Sequence, residues 1–228
     1  MDSPEWHRRM RVYVKEAGGL APLTDSFYFL RHGETEHNKR RIIQTQRGVT
    51  LNDTGRAQAR AAADVLVQHD FVEIHASDLE RTWETAEIVN AKCAKPLHKQ
   101  SNLWERDWGD WAGQSNVDLN WGGDPENGET LQQFTLRTLA GFREVLDLGR
   151  EILIVAHGGN YAVLLAACSY QRIHGFHPYS FRSAGQRSLL CLPPPVMQAG
   201  SLLSGSDAQV GRKANTYRSG SPERTALK

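Results

Sequence analysis

The chain has 228 residues, 39% hydrophobic and 23% charged, a composition that fits one folded domain of about 200 residues with additional ends. A formal net charge of +1 argues against a dedicated nucleic-acid binder, which would carry a marked basic excess, and leaves room for a small basic pocket. No apolar run approaches the roughly 20 residues that span a bilayer, and the charged start (Asp2, Glu5, Arg8, Arg9, Arg11) lacks an apolar signal core. The expectation is therefore a cytoplasmic protein with no membrane and no nucleic acid among its partners.

Residues 1–24 are mixed and contain Gly18-Gly19 and Pro22, which predicts a loosely attached leader. Phe27-Tyr28-Phe29-Leu30 is a short apolar run that stops at a charged loop, as a buried strand does. Asn52-Asp53-Thr54 supplies capping side chains for a helix with Ala59, Ala62, Ala63, Leu66 and Val67 on one face. Phe71 to Ala76 alternates and reads as a second strand. Ser77-Asp78 then reads as the cap of a helix whose inner stripe is Leu79, Trp83, Ala86 and Val89.

A tryptophan- and glycine-rich loop runs from about Leu103 to Gly128, and a helix with Leu131, Phe134, Thr138, Phe142 and Val145 on one side follows from Thr130 to Asp147. Ile152 to Ala156 is an unbroken apolar run, the sign of a strand covered on both faces. Gly158-Gly159-Asn160 opens a helix that continues to Cys168, and Ser188 to Leu192 is a last candidate strand. Strands alternating with amphipathic helices predict an α/β domain over residues 25–192, three-layer α/β/α around a largely parallel central sheet. After Pro193-Pro194-Pro195 the composition turns to Gly, Ser and scattered charge, predicting an unpacked, disordered tail over 193–228.

Cys93, Cys168 and Cys191 form no CxxC pair and read as free thiols. His174 and His177 lack a convincing third ligand and read as structural, so no metal site is expected.

Ligands of open α/β sheets bind beyond the carboxyl ends of the strands. Arg31-His32-Gly33 follows one strand, Arg81 lies early in the helix after another, and His157-Gly158-Gly159 follows a third. Two arginines and two histidines on one rim make a poor core and a good oxyanion cradle, because guanidinium forks match phosphate oxygens and stay charged. Helix N-termini after Ser77 and Gly158 would add N–H donors, and the glycine after each histidine would let backbone approach a ligand closely.

Several ordered motifs resemble those of the histidine phosphatases, the superfamily that includes cofactor-dependent phosphoglycerate mutases. Arg31-His32-Gly33-Glu34-Thr35-x-x-Asn38 resembles the family signature, and Leu51-Asn52-x-x-Gly55-x-x-Gln58-Ala59 its next helix start. Ser77-x-Leu79-x-Arg81-Thr82-x-x-Thr85-Ala86 resembles its second arginine motif, and Glu105-x-x-x-Gly109-x-x-x-Gly113 its acid loop. Gly128-Glu129-Thr130 with Arg137, then Ala156-His157-Gly158-Gly159, complete the order up to Cys168.

The resemblance implies a phosphoglycerate mutase-like fold and a phosphohistidine mechanism. His32 would be the nucleophile, with its second ring nitrogen fixed by a backbone carbonyl. Arg31, Arg81, His157 and the Gly158 backbone would hold the phosphoryl oxygens, Asn38 would donate to the same group, and Gln44 or Thr45 would touch it or the leaving group. Glu105 would be the general acid, with Asp107 and Asp110 on the same loop as alternatives. No metal or other cofactor is implied, since the arginines take the cation's place, and the expected partner is a small phosphorylated metabolite.

A phosphatase is expected over a mutase, because family mutases use a sizeable insertion after the acid, whereas Glu105 and His157 stand 52 positions apart. A catalytically silent phosphate-binding protein would lack His32, Glu105 or His157, and all three are present. His37 and Asn160 depart from the family pattern at positions expected to line the substrate side.

Overall fold

The computed structural model describes residues 5–20, 27–168 and 189–191, so the expectations for His174, His177 and the tail 193–228 lie outside the described residues. The strands are β1 (Phe27–Arg31), β2 (Glu73–Ala76), β3 (Leu97–Lys99), β4 (Ile152–Ala156) and β5 (Leu189–Cys191). They form one sheet in the order β3-β2-β4-β1-β5, and every pairing is parallel. The helices are α1 (Glu5–Glu16), α2 (Glu36–Lys39), α3 (Asp53–Leu66), α4 (Glu80–Cys93), α5 (Leu131–Leu146) and α6 (Gly158–Cys168).

Alternation along the central strands sorts the core into two layers, as the pleat requires. Phe27, Phe29, Ile152, Ile154 and Ala156 join a cluster with Leu131, Phe134 and Phe142 of α5 and Val163 and Leu164 of α6. Tyr28, Leu30, Leu153 and Val155 join the other cluster, with Ala63 and Leu66 of α3 and Ala86 and Val89 of α4. Every residue of β4 is buried, which is why its sequence is apolar without alternation. The result is the expected three-layer α/β/α architecture around a parallel sheet.

The N-terminal expectation needs correction. Residues 5–16 are a helix, and α1 packs against both α5 and α6. Trp6, Met10, Tyr13, Val14 and Ala17 recur at helical spacing and face the core, with Met10, Val14 and Leu20 buried. Arg143 of α5 fastens the end of this segment by donating from Nε to the Gly19 carbonyl at 3.0 Å. Charged residues on the outer face of α1 obscure this narrow apolar stripe.

Smaller differences follow from local chemistry. Asn52 caps α3 as expected, accepting from the Gly55 N–H at 2.8 Å, but Val67 is the C-cap residue and is exposed. Thr130 and Gln133 form a full capping box on α5. The start of α4 falls at Glu80, with Leu79 as its N-cap and no side-chain cap bond. Ser77 is therefore not the helix cap, and its hydroxyl serves the site described next. The short edge strand β3 went unread because three residues carry too little pattern.

Candidate active site

His32 directly follows β1 and His157 directly follows β4. The register pairs Arg31 with Ala156, and the His32 N–H donates to the Ala156 carbonyl at 3.1 Å. The two imidazole rings lie 5.2 Å apart, both buried. Nδ1 of His32 is 2.7 Å from the Gly33 carbonyl. A carbonyl can only accept, so Nδ1 carries the proton and Nε2 keeps its lone pair. The expected backbone anchor for the second ring nitrogen is thus Gly33 itself.

Nε2 of His157 lies within hydrogen-bond distance of two hydroxyl groups, Ser77 Oγ at 2.9 Å and Thr82 Oγ1 at 3.1 Å. The backbone N–H of His157 donates to Asn160 Oδ1 at 3.1 Å. Burial pushes the pKa of both histidines well below the ordinary imidazole value. The Arg81 charge adds to the depression in each, and Arg31 contributes to both. Both rings are therefore neutral at neutral pH when no anion is bound.

Arg81, fully buried in the first turn of α4, is aimed by two loop carbonyls: Nη1 donates to Thr45 at 3.2 Å and to Gln46 at 3.1 Å. Its Nε is buried without a hydrogen-bond partner. Burial lowers the Arg81 pKa to about 10, against the opposing pull of Glu105 and Glu80, so the group remains charged. A buried cation with an unused donor calls for an anion. Gly158 lies against Arg31, since a Cβ there would stand 3.4 Å from the guanidinium carbon.

Glu105 sits half-buried beyond the 3-10 turn Ser101–Leu103. Its Oε2 accepts from the Gly159 N–H at 3.1 Å and its Oε1 from the Arg106 N–H at 2.9 Å. The start of α6 thus holds the candidate acid. Arg137 clamps the same loop: it grips Glu129 with Nε and Nη2, at 2.7 and 2.6 Å, and donates from Nη1 to the carbonyls of Asn102 and Trp104. Buried Arg106 ties the following segment to the carbonyls of Glu129, Trp121 and Gly123, with its guanidinium over the Trp108 ring. Trp108 also packs against Trp111 and Trp121, so these rings brace the loop.

Other residues expected at the site also make local hydrogen bonds. Asn38 Oδ1 accepts from the N–H of Thr35 at 3.2 Å, closing a capping box on α2. Gln44 Oε1 accepts from the Thr35 hydroxyl at 3.0 Å. The Thr45 hydroxyl donates to the Arg47 carbonyl at 2.7 Å, while the Thr45 carbonyl aims Arg81. Asn160 is fully buried and ties His157 to Trp104 O and Thr138 Oγ1, so it does not line a substrate surface.

Of the two histidine-following glycines, Gly33 serves close packing, whereas Gly158 borders the Arg31 guanidinium. A Cβ on Gly33 would meet the Gly55 carbonyl oxygen at 2.4 Å. The contacts of Ser77 and Thr82 with His157, and the ties made by Arg106, are not announced by the sequence. Ser77 and Thr82 stand inside the quoted arginine motif, but nothing local distinguishes a hydroxyl that caps a helix from one that meets a distant imidazole.

The arrangement offers a neutral imidazole with one free ring nitrogen, two arginines, a second imidazole and a carboxylate at the start of α6. It can bind a dianion, attack it and exchange a proton with a leaving oxygen.

The chain is similar to known proteins. The profile of the histidine phosphatase superfamily (branch 1) matches residues 27–191. A glucosyl-3-phosphoglycerate phosphatase of Mycolicibacterium vanbaalenii is 34% identical over 160 residues, covering 60% of this chain and 71% of that protein. Phosphoglycerate mutase-like protein 4 of Arabidopsis thaliana is 33% identical over 154 residues, covering 57% and 65%. Among solved structures, a mycobacterial glucosyl-3-phosphoglycerate phosphatase complexed with VO3 superimposes with a TM-score of 0.56 at 30% identity, covering 61% of this chain and 78% of that one. With the geometry around His32, the two arginines and the profile match in agreement, the chain belongs to branch 1 of the histidine phosphatase superfamily and is a phosphoric monoester hydrolase of that family.

Proposed function

We propose that the chain hydrolyses a small phosphorylated metabolite through a phosphohistidine on Nε2 of His32. The observation that carries this reading is the 2.7 Å contact between His32 Nδ1 and the Gly33 carbonyl, beside a buried Arg81 with an unused donor. In the first step the Nε2 lone pair forms the N–P bond while the P–O bond to the leaving alcohol breaks, and the departing oxygen takes the Glu105 proton. In the second step water attacks phosphorus and gives a proton to the Glu105 carboxylate. The N–P pair returns to Nε2, releasing inorganic phosphate. Arg31, Arg81, His157 and the Gly158 backbone hold the phosphoryl oxygens, and their charge serves without a metal ion. Asn38, with its carbonyl oxygen engaged by Thr35, contributes its amide donors, and Gln44 and Thr45 border the leaving group.

Hydrolysis is favoured over transfer between two positions of one substrate by the fate of the chain between Glu105 and His157. Its first half is tied down by Arg106 and the tryptophans, and its second half is core helix α5. Neither half is available as a lid that would shield the phosphohistidine from water.

The test is hydrolysis of an aryl phosphate in the presence of a chelator by wild type and His32→Ala. The expected result is turnover by wild type, none by the variant, and a trapped phosphoryl label stable to alkali and labile to acid. Unchanged turnover in His32→Ala would overturn the mechanism. Efficient 2,3-bisphosphoglycerate-dependent mutase turnover would replace hydrolysis with the mutase reading, and turnover by neither assay would leave a silent phosphate-binding protein.

A further inference from the structure

At the far edge of the sheet three side chains unrelated to the phosphate chemistry converge. Glu73 and His75 are alternate residues of β2 and share a face, and the parallel register sets His98 of β3 directly beside His75. Each of the three offers a ligand atom, and these atoms all lie within 4.8 Å of one another. His98 Nε2 stands 3.2 Å from Glu73 Oε2, and His75 Nε2 stands 3.5 Å from Glu73 Oε1. Ligands at about 2.0–2.1 Å from a tetrahedral ion are about 3.3–3.4 Å apart, close to these two separations, which run to different oxygens of Glu73.

Hydrogen bonding leaves this cluster incomplete. Glu73 Oε1 and His75 Nε2 are both buried and both lack a hydrogen-bond partner. Such groups are costly unless something charged or polar meets them. Nδ1 of His75 lies 3.1 Å from the Gln100 side-chain amide, which can turn its oxygen to accept from that nitrogen and free Nε2 for an ion. The cation already facing Glu73 is Arg150, 3.6 Å from Oε1 and exposed on a long stem that solvent can accommodate elsewhere.

We propose that Glu73, His75 and His98 bind one zinc ion, with water in the fourth position, and that the ion clips the short edge strand β3 to β2. Two imidazoles and one carboxylate suit zinc and its neighbours in the first transition row rather than calcium or magnesium. The expected consequence is a sheet edge closed against other strands and a fold stabilised by the metal.

The test uses tag-free, full-length chain stripped with a chelator and titrated with zinc against a chromophoric competitor. One ion per chain is expected. His98→Ala, at an exposed position, should weaken binding by more than the about 10- to 100-fold caused by losing a supporting partner. Glu73→Gln should do the same with side-chain shape retained, whereas His32→Ala should bind as wild type. Zinc should also raise the thermal midpoint of wild type and leave that of His98→Ala unmoved. Absence of binding would overturn the proposal. So would binding lost in His32→Ala and kept in His98→Ala, which would locate the ion among the active-site imidazoles.

Discussion

One methyl group added at Gly159 would stand 2.2 Å from Glu105 Oε1 and 2.8 Å from the Phe134 ring. Gly159→Ala should therefore displace the candidate acid and cost about 1–3 kcal/mol of stability through overpacking. Urea unfolding and alkyl phosphate turnover measured together would check both effects, and a variant with wild-type turnover would refute the position assigned to Glu105. Replacing the acid itself separates the two proton transfers. Glu105→Gln should slow hydrolysis of an alkyl phosphate by about 100- to 10,000-fold, while phosphorylation of His32 by an aryl phosphate with a good leaving group falls much less. Rapid-quench labelling reads that difference, and equal losses on both substrates would contradict general acid catalysis. At this scale the sequence was legible where a motif stated both residue and neighbour: Arg31, His32, Arg81 and His157 all meet at one rim. It was illegible where a role depends on a partner far along the chain. Ser77 reads as a helix cap because caps are local, but its hydroxyl faces an imidazole 80 positions later.

Among the elements, the acid loop depends on α5 through Arg137. Its fork grips Glu129 while its other donors hold loop carbonyls, a pattern that a lysine ammonium cannot reproduce. Arg137→Lys should lower kcat by mispositioning Glu105, leave KM nearly unchanged and cost about 1.5–3 kcal/mol, the range for hydrogen bonds to charged groups. A normal kcat would show that the loop holds its shape without the clamp. Helix α1 makes an independent prediction. Removing residues 1–20 uncovers the core groups that Met10, Val14 and Leu20 cover, each worth about 1.5–3 kcal/mol when fully buried. The truncated chain should unfold at markedly lower urea concentration, and an unchanged midpoint would restore the view of that segment as a loose leader. The apolar spacing in α1 was present in the sequence but was outweighed by arginine and glutamate on its outer face. The pairing of His75 with His98 was not legible at all, because register between two short strands is a tertiary fact.

For the molecule as a whole, the buried histidines couple stability to pH. His32 and His157 take up protons near their ordinary value of 6.5 when unfolded, but only at much lower pH when folded. Between those limits the unfolded chain binds more protons, so stability falls as pH decreases below about 6.5, by up to about 1.4 kcal/mol per pH unit for each histidine. Unfolding from about pH 7.5 to about pH 5.5 would reveal this slope, and rising stability over that interval would contradict neutral buried rings. The fold class was legible across this scale because the strand–helix alternation and the uninterrupted apolar β4 admit few layer arrangements. His32 and His157 extend from adjacent strands, and parallel neighbours keep a spacing of about 4.7–4.9 Å whatever their side chains. Their ring separation of 5.2 Å is thus underwritten by the backbone of β1 and β4. The segments proposed to meet the leaving group, by contrast, are loops. Descendants of such a chain can exchange those loops and acquire new substrates while the histidine pair passes on unaltered.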